Sequence, residues 1–412
     1  MSERLMLMVA YHFPPDPSAG SMRPYRFAKY LTRLGYEVAV FTACEESQQG
    51  LLQVFRIRDP FPGGKRWTPG WQMERALRKT LWPGAVGIRW AARTAEAALA
   101  FLKSRSRARA CVFSTFPPLG AHLAGWRLAQ AARLPWIADF RDPMTFSPGS
   151  WEHLNALRQR AALWLERAFA KRAAMIVANT DAAAEQFRRQ RPVSAGKVHT
   201  IWNGFDPEER IQPLPLPPRP YRLFSHVGEL YAGRSAVTLL ESIGRLVQAG
   251  RLDPRKHRVL LAGPMEAGML PAEPLLNKAV EQGWLELRPG LLPKSEALRI
   301  AQTSDGLLLI QPHTAIQVPA KLFEYLQIGR PILAHVPPGS ETEAVLAKSG
   351  IPFVCAYAGS EAREMDEAIG SFFQMPAAGA RPSAWFEEQF DARRQAAILD
   401  GWIQRLPDGR LA

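Results

Sequence analysis

The hydrophobic pattern of the chain consists of short apolar runs separated by longer amphipathic segments. Leu5–Ala10 is nearly all apolar, as expected for a strand that is buried on both faces. An amphipathic segment from about Ser21 to Leu34 follows, and the next apolar run is Glu37–Ala43. A strand, a helix and a second strand in this order predict a βαβ unit with parallel strand pairing.

The same alternation continues along the whole chain. In the first half it predicts strands at 110–114, 135–140, 175–178 and 198–202, and helices that end near 133 or cover 151–172 and 181–189. In the second half it predicts strands at 222–227, 259–262, 285–288, 306–310, 331–334 and 353–356, with helices between them. Two such sets predict an α/β protein with two Rossmann-like domains that face each other across a cleft.

A proline-rich stretch marks the expected domain boundary. Residues 212–220 contain five prolines in nine positions, which predicts a stiff, extended connector. We therefore expect an N-terminal domain over 1–211 that holds a partner substrate and a C-terminal domain over 221–384 that holds a phosphorylated group. A final helix within 385–412 is expected to return to the first domain. A chain of 412 residues is long enough for two such cores.

Val318–Pro331 predicts a short helix with an unusual charge at its start. Pro319 suits the first turn, and Gly329 ends the helix just before a second proline. Lys321 then lies in the first turn, where a cation meets the positive end of the helix dipole. An anionic ligand at that end would make the same charge favourable.

Arg234 repeats this arrangement in front of another predicted helix, with Ser235 as its N-cap. Two cations at two helix N-termini predict a clamp for a diphosphate. Glu324 shares a helix face with Lys321 and can accept hydrogen bonds from ribose hydroxyls. The alternative is that both cations are solvated and bind nothing.

Polar residues also follow the strands of the first half. Asp139, Arg141 and Asp142 come directly after an apolar strand. Because loops at the carboxyl ends of parallel strands form the ligand crevice, we expect them near His12 and Phe116. Two interpretations stay open for the charged cluster: a direct role in that crevice, or a structural ion pair of the arginine with its acidic neighbours. His12 is likewise either a ligand contact or structural.

Glycines at element ends leave the backbone open to a ligand. Gly20 precedes the first helix, and Gly263 follows a strand of the second half. The sequence has no Walker loop, no GxGxxG after the first strand, no HExxH and no nucleophile elbow. These absences disfavour NAD- and ATP-dependent chemistry.

The formal net charge of +14 indicates a polyanionic partner. Between positions 56 and 109 there are thirteen Lys or Arg against three acids. The tryptophans within this segment are Trp67, Trp71, Trp82 and Trp90. Interleaved tryptophan and cationic residues suit an anionic membrane surface, to which we assign residues 56–109. The alternative is a basic surface whose tryptophans pack inward. No motif supports binding to nucleic acid.

The sequence also predicts the compartment. No apolar run approaches about eighteen residues, and the first strand is too short for a secretory signal. We expect a cytoplasmic protein, peripheral on the inner face of the cell membrane. Cys44, Cys111 and Cys355 are far apart in sequence, which favours reduced thiols over a metal site.

Five stretches, in this order and spacing, resemble bacterial retaining glycosyltransferases of the GT-B fold, in the group 4-like family that builds cell-surface polysaccharides and glycolipids. They are Tyr11–Pro15 with Gly20 and Arg23-Pro24, Ala138–Pro143, Asn203–Asp206, Val227–Arg234, and Lys321–Pro331. The resemblance runs nearly end to end, and it implies that 1–211 is the acceptor-binding domain and 221–384 the nucleotide-sugar-binding domain. It implies that Arg234 and Lys321 bind the donor diphosphate, that Glu324 binds the ribose, and that the loop of Asp139 lies near the transferred sugar.

On this basis we assign roles to individual residues. The catalytic assignments are Asp139, Arg141, Asp142, Arg234 and Lys321. The donor-binding assignments are Gly20, Gly228, Arg234, Gly263, Lys321, Leu322 and Glu324. The acceptor-binding assignments are His12, Arg23 and Phe116. The resemblance further implies a UDP-sugar or GDP-sugar as co-substrate, no other cofactor, no metal, and a lipid-linked or cell-surface glycan as acceptor.

Two positions depart from the family. Ile316 stands eight residues before Glu324, where many relatives carry a second acid, and Glu229 stands where relatives often have a basic residue. The implied mechanism is transfer with retention, in which the leaving diphosphate acts as the base. The alternative function is a non-catalytic, nucleotide-binding scaffold of a polysaccharide assembly complex, and Ile316 favours it.

Overall fold

The computed structural model describes residues 4–16, 18, 20–46, 52–60, 86–105, 109–145, 155–231 and 233–407. The chain divides into two compact units. The first unit joins Met1–Pro207 with Gln389–Ala412, and the second unit is Glu208–Glu388.

A parallel sheet of seven strands forms the centre of the described part of the first unit. Its strands are β1 (Arg4–Val9), β2 (Tyr36–Thr42), β3 (Gln53–Arg56), β4 (Arg109–Phe116), β5 (Trp136–Phe140), β6 (Met175–Ala178) and β7 (Val198–Thr200), in the order β3-β2-β1-β4-β5-β6-β7. The helices between them are α1 (Met22–Arg33), α2 (Ile88–Lys103), α3 (Leu119–Ala132), α4 (Ala156–Arg172) and α5 (Asp181–Gln190). Because the strands are parallel, their carboxyl ends lie along one edge.

The second unit has the same plan around a parallel sheet of six strands. These are β8 (Arg222–Val227), β9 (His257–Gly263), β10 (Leu285–Pro289), β11 (Gly306–Ile310), β12 (Ile332–Val336) and β13 (Phe353–Tyr357), in the order β10-β9-β8-β11-β12-β13. The helices are α6 (Val237–Gln248), α7 (Glu273–Glu281), α8 (Lys294–Gln302), α9 (Lys321–Ile328), α10 (Glu341–Ser349), α11 (Ala362–Gln374) and α12 (Ala384–Phe390). The two expected parallel-sheet α/β domains are thus present.

The proline-rich stretch lies along the second unit, which moves the boundary from the expected position at 211 to 207. The side-chain amide of Gln302 donates to the carbonyl of Gln212, and Arg330 donates to the carbonyl of Leu214 at 2.8 Å. Arg219 pairs with Asp305 at 2.5 Å. These contacts explain why Glu208–Pro220 groups with the strands that follow it.

The single C-terminal helix expected over 385–412 is instead two helices, α12 and α13 (Ala392–Ile403). The chain bends at Asp391 because the backbone on either side pairs with Phe205: Phe205 N donates to Phe390 O at 3.0 Å, and Ala392 N donates to Phe205 O at 3.1 Å. Asp391 then caps α13 by accepting from the N–H of Arg393. The unit boundary accordingly falls at 388 and not at 384.

Helix α13 completes the core of the first unit. Its buried Leu399 packs in one cluster with Phe27 and Leu31 of α1. Asp400 accepts hydrogen bonds from Tyr36 at 2.7 Å and from Arg4 at 3.2 Å. Helix α13 is therefore an integral part of the first unit.

The described part of the basic segment has the expected loop, at 57–60, and one expected helix, α2. Just before it lies an edge strand that the sequence did not predict, β3, which pairs with β2 through Ala39–Thr42 and ends at Arg56. Trp90 is fully buried in α2, which contradicts a lipid-facing role for this tryptophan. Trp67, Trp71 and Trp82 lie outside the described residues.

Candidate functional site

The carboxyl ends of β8 and β9 come unusually close in the second unit. Gly228 N donates to Ala262 O at 2.7 Å, and a Cβ on Gly263 would lie 2.5 Å from Gly228 O. Both glycines have left-handed φ values, 142° at Gly228 and 134° at Gly263. A side chain at Gly228 or Gly263 is therefore excluded, and backbone atoms alone form the surface at the carboxyl ends of these two strands.

Lys321 fills the space beside these glycines. Its Nζ donates to Val227 O at 2.9 Å and lies 3.4 Å from Nε2 of His226. A Cβ on Gly228 would overlap Nζ. The Val227 N–H donates in turn to the hydroxyl of Tyr325 at 3.2 Å, so the first turns of α9 are fixed to the end of β8.

The electrostatics of this site favour an added anion. Burial first and the nearby Arg234 second lower the pKa of Lys321 to about 7, although Glu324 and Glu229 oppose the shift. His226 is also buried, and its Nδ1 lies 3.0 Å from Leu308 O. That contact assigns the proton to Nδ1, so that the Nε2 lone pair faces Lys321. Burial holds the pKa of His226 well below its ordinary value, so this histidine adds no positive charge.

Arg234 lies in the loop before α6, with its guanidinium carbon 4.9 Å from the centre of the Tyr231 ring. It contributes to the lowered pKa values of Lys321 and His226, and of His313, whose pKa falls to about 4 mainly through burial. The structure thus brings Arg234 and Lys321 into one electrostatic site. Ser235 is not the N-cap, because α6 begins one residue later, after Ala236.

Three polar atoms of the loop after β11 are buried without a hydrogen-bond partner. They are Gln311 Oε1, His313 Nδ1 and Thr314 Oγ1. A Cβ on Gly233 would lie 3.0 Å from the Cβ of His313, so this loop touches the turn that carries Arg234. The sequence analysis missed these residues and His226. The signal was available, since Gln311 directly follows the apolar run of β11.

Leu322 does not fit its donor-binding assignment. Its side chain is fully buried, and its N–H already donates to Pro319 O at 3.0 Å. Glu324, two positions further along α9, is half-buried. Gly329 ends α9 in a left-handed conformation, as the sequence predicts.

In the first unit, Asp139 forms a buried ion pair with Arg23. The Arg23 guanidinium donates to Asp139 at 2.7 and 3.1 Å and to Trp202 O at 2.8 Å. Thr115 donates to the same carboxylate at 2.7 Å. The structural ion pair is therefore made with Arg23 and not with Arg141. Its burial removes both Asp139 and Arg23 from direct contact with a ligand.

Arg141 lies against Gly20. A Cβ on Gly20 would overlap the Arg141 guanidinium, which also donates to Pro117 O. Asp142 is close enough to raise the pKa of Arg141, although burial lowers it overall. The ring of Phe116 packs 6.0 Å from that of Phe140. Gly20, Arg141 and Asp142 therefore do come together.

His12 pairs with Asp16 in the loop after β1, with Nδ1 and Oδ2 2.6 Å apart. Burial alone would raise the pKa of Asp16, but the hydrogen bonds from His12 and Ser18 lower it. Both side chains remain partly exposed. This pair could orient His12 toward a polar ligand, as its acceptor-binding assignment requires.

No three His, Cys, Asp or Glu side chains within the described ranges are arranged as metal ligands. Among the helices of those ranges, none has the length and apolar character needed to cross a bilayer.

Comparisons with known proteins identify the fold and the first domain. Residues 20–204 match the sequence model of the glycosyl transferase 4-like domain. No curated protein sequence matches the chain.

Solved structures match over almost the whole chain. Anabaena Alr3699/HepE in complex with UDP and glucose has a TM-score of 0.62 at 15% identity, over 98% of this chain and 100% of that one. A UDP-forming α,α-trehalose-phosphate synthase from Burkholderia xenovorans, in complex with glucose-6-phosphate, has a TM-score of 0.65 at 12% identity, over 97% and 100%. A glycosyltransferase from Rickettsia africae ESF-5 has a TM-score of 0.55 at 10% identity, over 97% of each chain. Residues 20–204 are therefore similar to a glycosyl transferase 4-like domain, and the two parallel-sheet units give the whole chain the GT-B fold of these solved structures.

Proposed function

We propose that the protein transfers a sugar from a UDP-sugar or GDP-sugar to a lipid-linked or cell-surface glycan acceptor, with retention of configuration and without a metal. One observation carries the proposal: the Lys321 ammonium lies near Arg234, beside glycines at the ends of β8 and β9, with a lowered pKa. A diphosphate supplies the negative charge that would raise this pKa again.

Each donor group has a candidate partner in the second unit. Arg234 and Lys321 bind the diphosphate, Glu324 accepts from the ribose hydroxyls, and the backbone at Gly228 and Gly263 lets the donor approach closely. UDP is the first donor to test, because Alr3699/HepE has been crystallised with UDP and glucose.

The proposed reaction forms two bonds and breaks two. The acceptor oxygen bonds to the anomeric carbon while the bond from that carbon to the diphosphate oxygen breaks, and the leaving diphosphate takes the acceptor proton. Arg234 and Lys321 stabilise the charge that grows on the diphosphate. Such charge stabilisation is usually the largest single contribution to catalysis.

In the first unit, Gly20, Arg141 and Asp142 are proposed to face the transferred sugar, and His12 and Phe116 the acceptor. Asp139 and Arg23 act as positioning residues, because they hold β5 and α1 together. We further propose a cytoplasmic protein that is peripheral on the inner membrane face, with residues 56–109 as one membrane contact. Positions 61–85 and 106–108 of this segment lie outside the described residues, and nucleic acid is not a proposed partner.

The alternative function is a nucleotide-binding scaffold without turnover. Ile316 favours it, since relatives often carry an acid at that position. A scaffold would bind the nucleotide, yet it would neither transfer the sugar nor hydrolyse the donor.

The test measures thermal unfolding of the purified protein with UDP, GDP and their sugars. A ligand at one hundred times its dissociation constant should add about 2.7 kcal/mol to the free energy of unfolding. Arg234→Ala and Lys321→Ala should abolish this shift. They should also remove about 2–4 kcal/mol of transition-state stabilisation in a transfer assay, by analogy with the loss of one oxyanion donor. Full transfer by either variant would refute the assignment, and a shift without transfer or hydrolysis would favour the scaffold.

A pair of glycine variants makes the test specific. Gly228→Ala would displace the Lys321 ammonium and should weaken the nucleotide response. Gly290→Ala is the matched control: Gly290 directly follows β10 and has φ 106°, but its Cβ would meet nothing within 4 Å. Equal nucleotide responses in the two variants would argue against Lys321 as the diphosphate ligand.

A further inference from the structure

The outward face of α4 carries large apolar side chains in solvent. Leu157 is 55% exposed and Trp164 is 59% exposed. They are seven residues apart, so they lie on the same side of the helix. Arg160, Arg167 and Lys171 are also exposed and fall at the intervening and following positions of the same side. We call these five residues the outer stripe of α4.

The outer stripe contains no acid. The one acidic residue within α4 is Glu166, which is fully buried and accepts from Arg191 at 2.6 Å and from Thr145 at 2.7 Å. Leu165 and Phe169 are buried on the same inner side. The buried ion pair and these apolar contacts fix how α4 is rotated about its own axis. The outer stripe, on the opposite side of the helix, therefore faces solvent.

The end of the helix is also cationic. Arg172 is exposed, and Lys197 Nζ donates to the carbonyls of Ala173 at 3.0 Å and Lys171 at 3.3 Å. Because α4 follows β5, it begins at the sheet edge that carries Arg141. The stripe therefore starts at the same edge as the candidate sugar site of this unit.

The exposed apolar side chains between cations indicate which kind of polyanionic partner would fit the outer stripe of α4. An indole and a leucine between cations match the interface of a bilayer, where the apolar groups enter the headgroup region and the cations meet anionic lipids. Nucleic acid would use the cations but would leave Leu157 in water. We infer that the outer stripe of α4 is a contact surface for an anionic lipid bilayer.

The outer stripe of α4 is distinct from residues 56–109. The inference rests on the proposed function, because a lipid-linked acceptor would lie at a membrane surface. Two apolar side chains support only weak, reversible binding, as for other single anchors. The test below uses neither nucleotide nor acceptor. Its failure can therefore be told apart from failure of the proposed transferase reaction, which the nucleotide response of the same variants reports.

The test is co-sedimentation of the full chain with vesicles of phosphatidylcholine alone or mixed with phosphatidylglycerol. The wild type should bind the mixed vesicles and release them at raised salt. Leu157→Ser with Trp164→Ser should lower the partition coefficient at least about tenfold, because the buried apolar area is lost. Arg160→Gln, Arg167→Gln and Lys171→Gln together should do the same through lost lipid charge contacts.

Matched controls come from the exposed surface of the second unit. Val280→Ser with Leu291→Ser removes two exposed apolar residues, and Arg255→Gln, Lys256→Gln and Lys278→Gln remove three exposed cations. These controls should bind like the wild type. The inference is overturned if the wild type does not bind the mixed vesicles, or if the stripe variants bind them as strongly as the wild type does. It is also overturned if the control variants lose as much binding as the stripe variants.

Discussion

Lys321, the proposed diphosphate ligand, lies where its positive charge is disfavoured unless an anion binds. It begins a helix whose dipole disfavours a cation, and it occupies the space that Gly228 leaves open. Burial and Arg234 lower its pKa from 10.5 to about 7. Without ligand, the side chain is therefore largely neutral above about pH 8, and a bound diphosphate would favour its charged form.

We predict that UDP binding takes up close to one proton at about pH 8.5. The dissociation constant should rise about tenfold per pH unit above the free pKa, until the pKa of the complex is reached. Calorimetric titration in two buffers of different ionisation enthalpy measures the uptake. At UDP concentrations raised until it binds, Lys321→Met should take up no proton, whereas Lys256→Met, an exposed control, should behave like the wild type. A wild-type uptake near zero would contradict the lowered pKa.

The sequence singles out Lys321 and Arg234 as candidate diphosphate ligands because each breaks a local rule of helix charge. It could not identify the partners that depend on distant chain segments. Arg23 and Asp139 are separated by 116 residues, so their pairing is a consequence of the fold. The same holds for His226, whose position next to Lys321 depends on how α9 docks onto β8.

At the scale of elements, the Arg23–Asp139 pair joins α1 to β5 inside the first unit. Both side chains are almost completely buried. A buried charge that loses its partner is costly, because its desolvation is no longer offset. The pair therefore fixes the position of α1, whose first turn follows Gly20.

We predict that Asp139→Asn lowers the free energy of unfolding by about 3–5 kcal/mol, because it leaves the Arg23 charge buried and unpaired. Urea unfolding measures the change. The double variant Arg23→Met with Asp139→Leu should recover much of the loss. Glu367→Gln, which breaks the exposed pair with Arg363, should cost less than about 1 kcal/mol. An Asp139→Asn variant that is fully stable but inactive would restore Asp139 as a catalytic residue.

Element prediction succeeded where the signal is local. Each predicted strand of the second unit agrees with the observed strand within two residues at either end, because buried parallel strands are short apolar runs. β3 was missed because Gln53–Arg56 is a half-exposed edge strand without such a run. The break at Asp391 was missed because it depends on pairing with Phe205, far away in sequence.

At the scale of the whole molecule, the first unit is discontinuous in sequence and the second is continuous. Helix α13 contributes the buried Leu399 and Ile403 to the core of the first unit. Burying two such side chains contributes about 3–6 kcal/mol, a large part of the 5–15 kcal/mol that stabilises a typical domain. The first unit therefore depends on a segment that is separated from the rest of it, in sequence, by the whole second unit.

We predict that truncation after Phe390 unfolds the first unit and leaves the second folded. Loss of α13 exposes the apolar surface of Phe27 and Leu31. It also removes Asp400, which accepts hydrogen bonds from Tyr36 and Arg4. Hydrogen exchange should then show protected amides in β8–β13 and unprotected ones in β1–β7. Because the proposed nucleotide site lies within Glu208–Glu388, the truncated chain should keep its thermal response to UDP.

Adding residues 391–412 as a separate peptide should restore protection in β1, since the two parts can reassociate. Protection of β1–β7 without the peptide would show that α13 is dispensable for this core, and loss of protection in β8–β13 would show that the second unit needs the first.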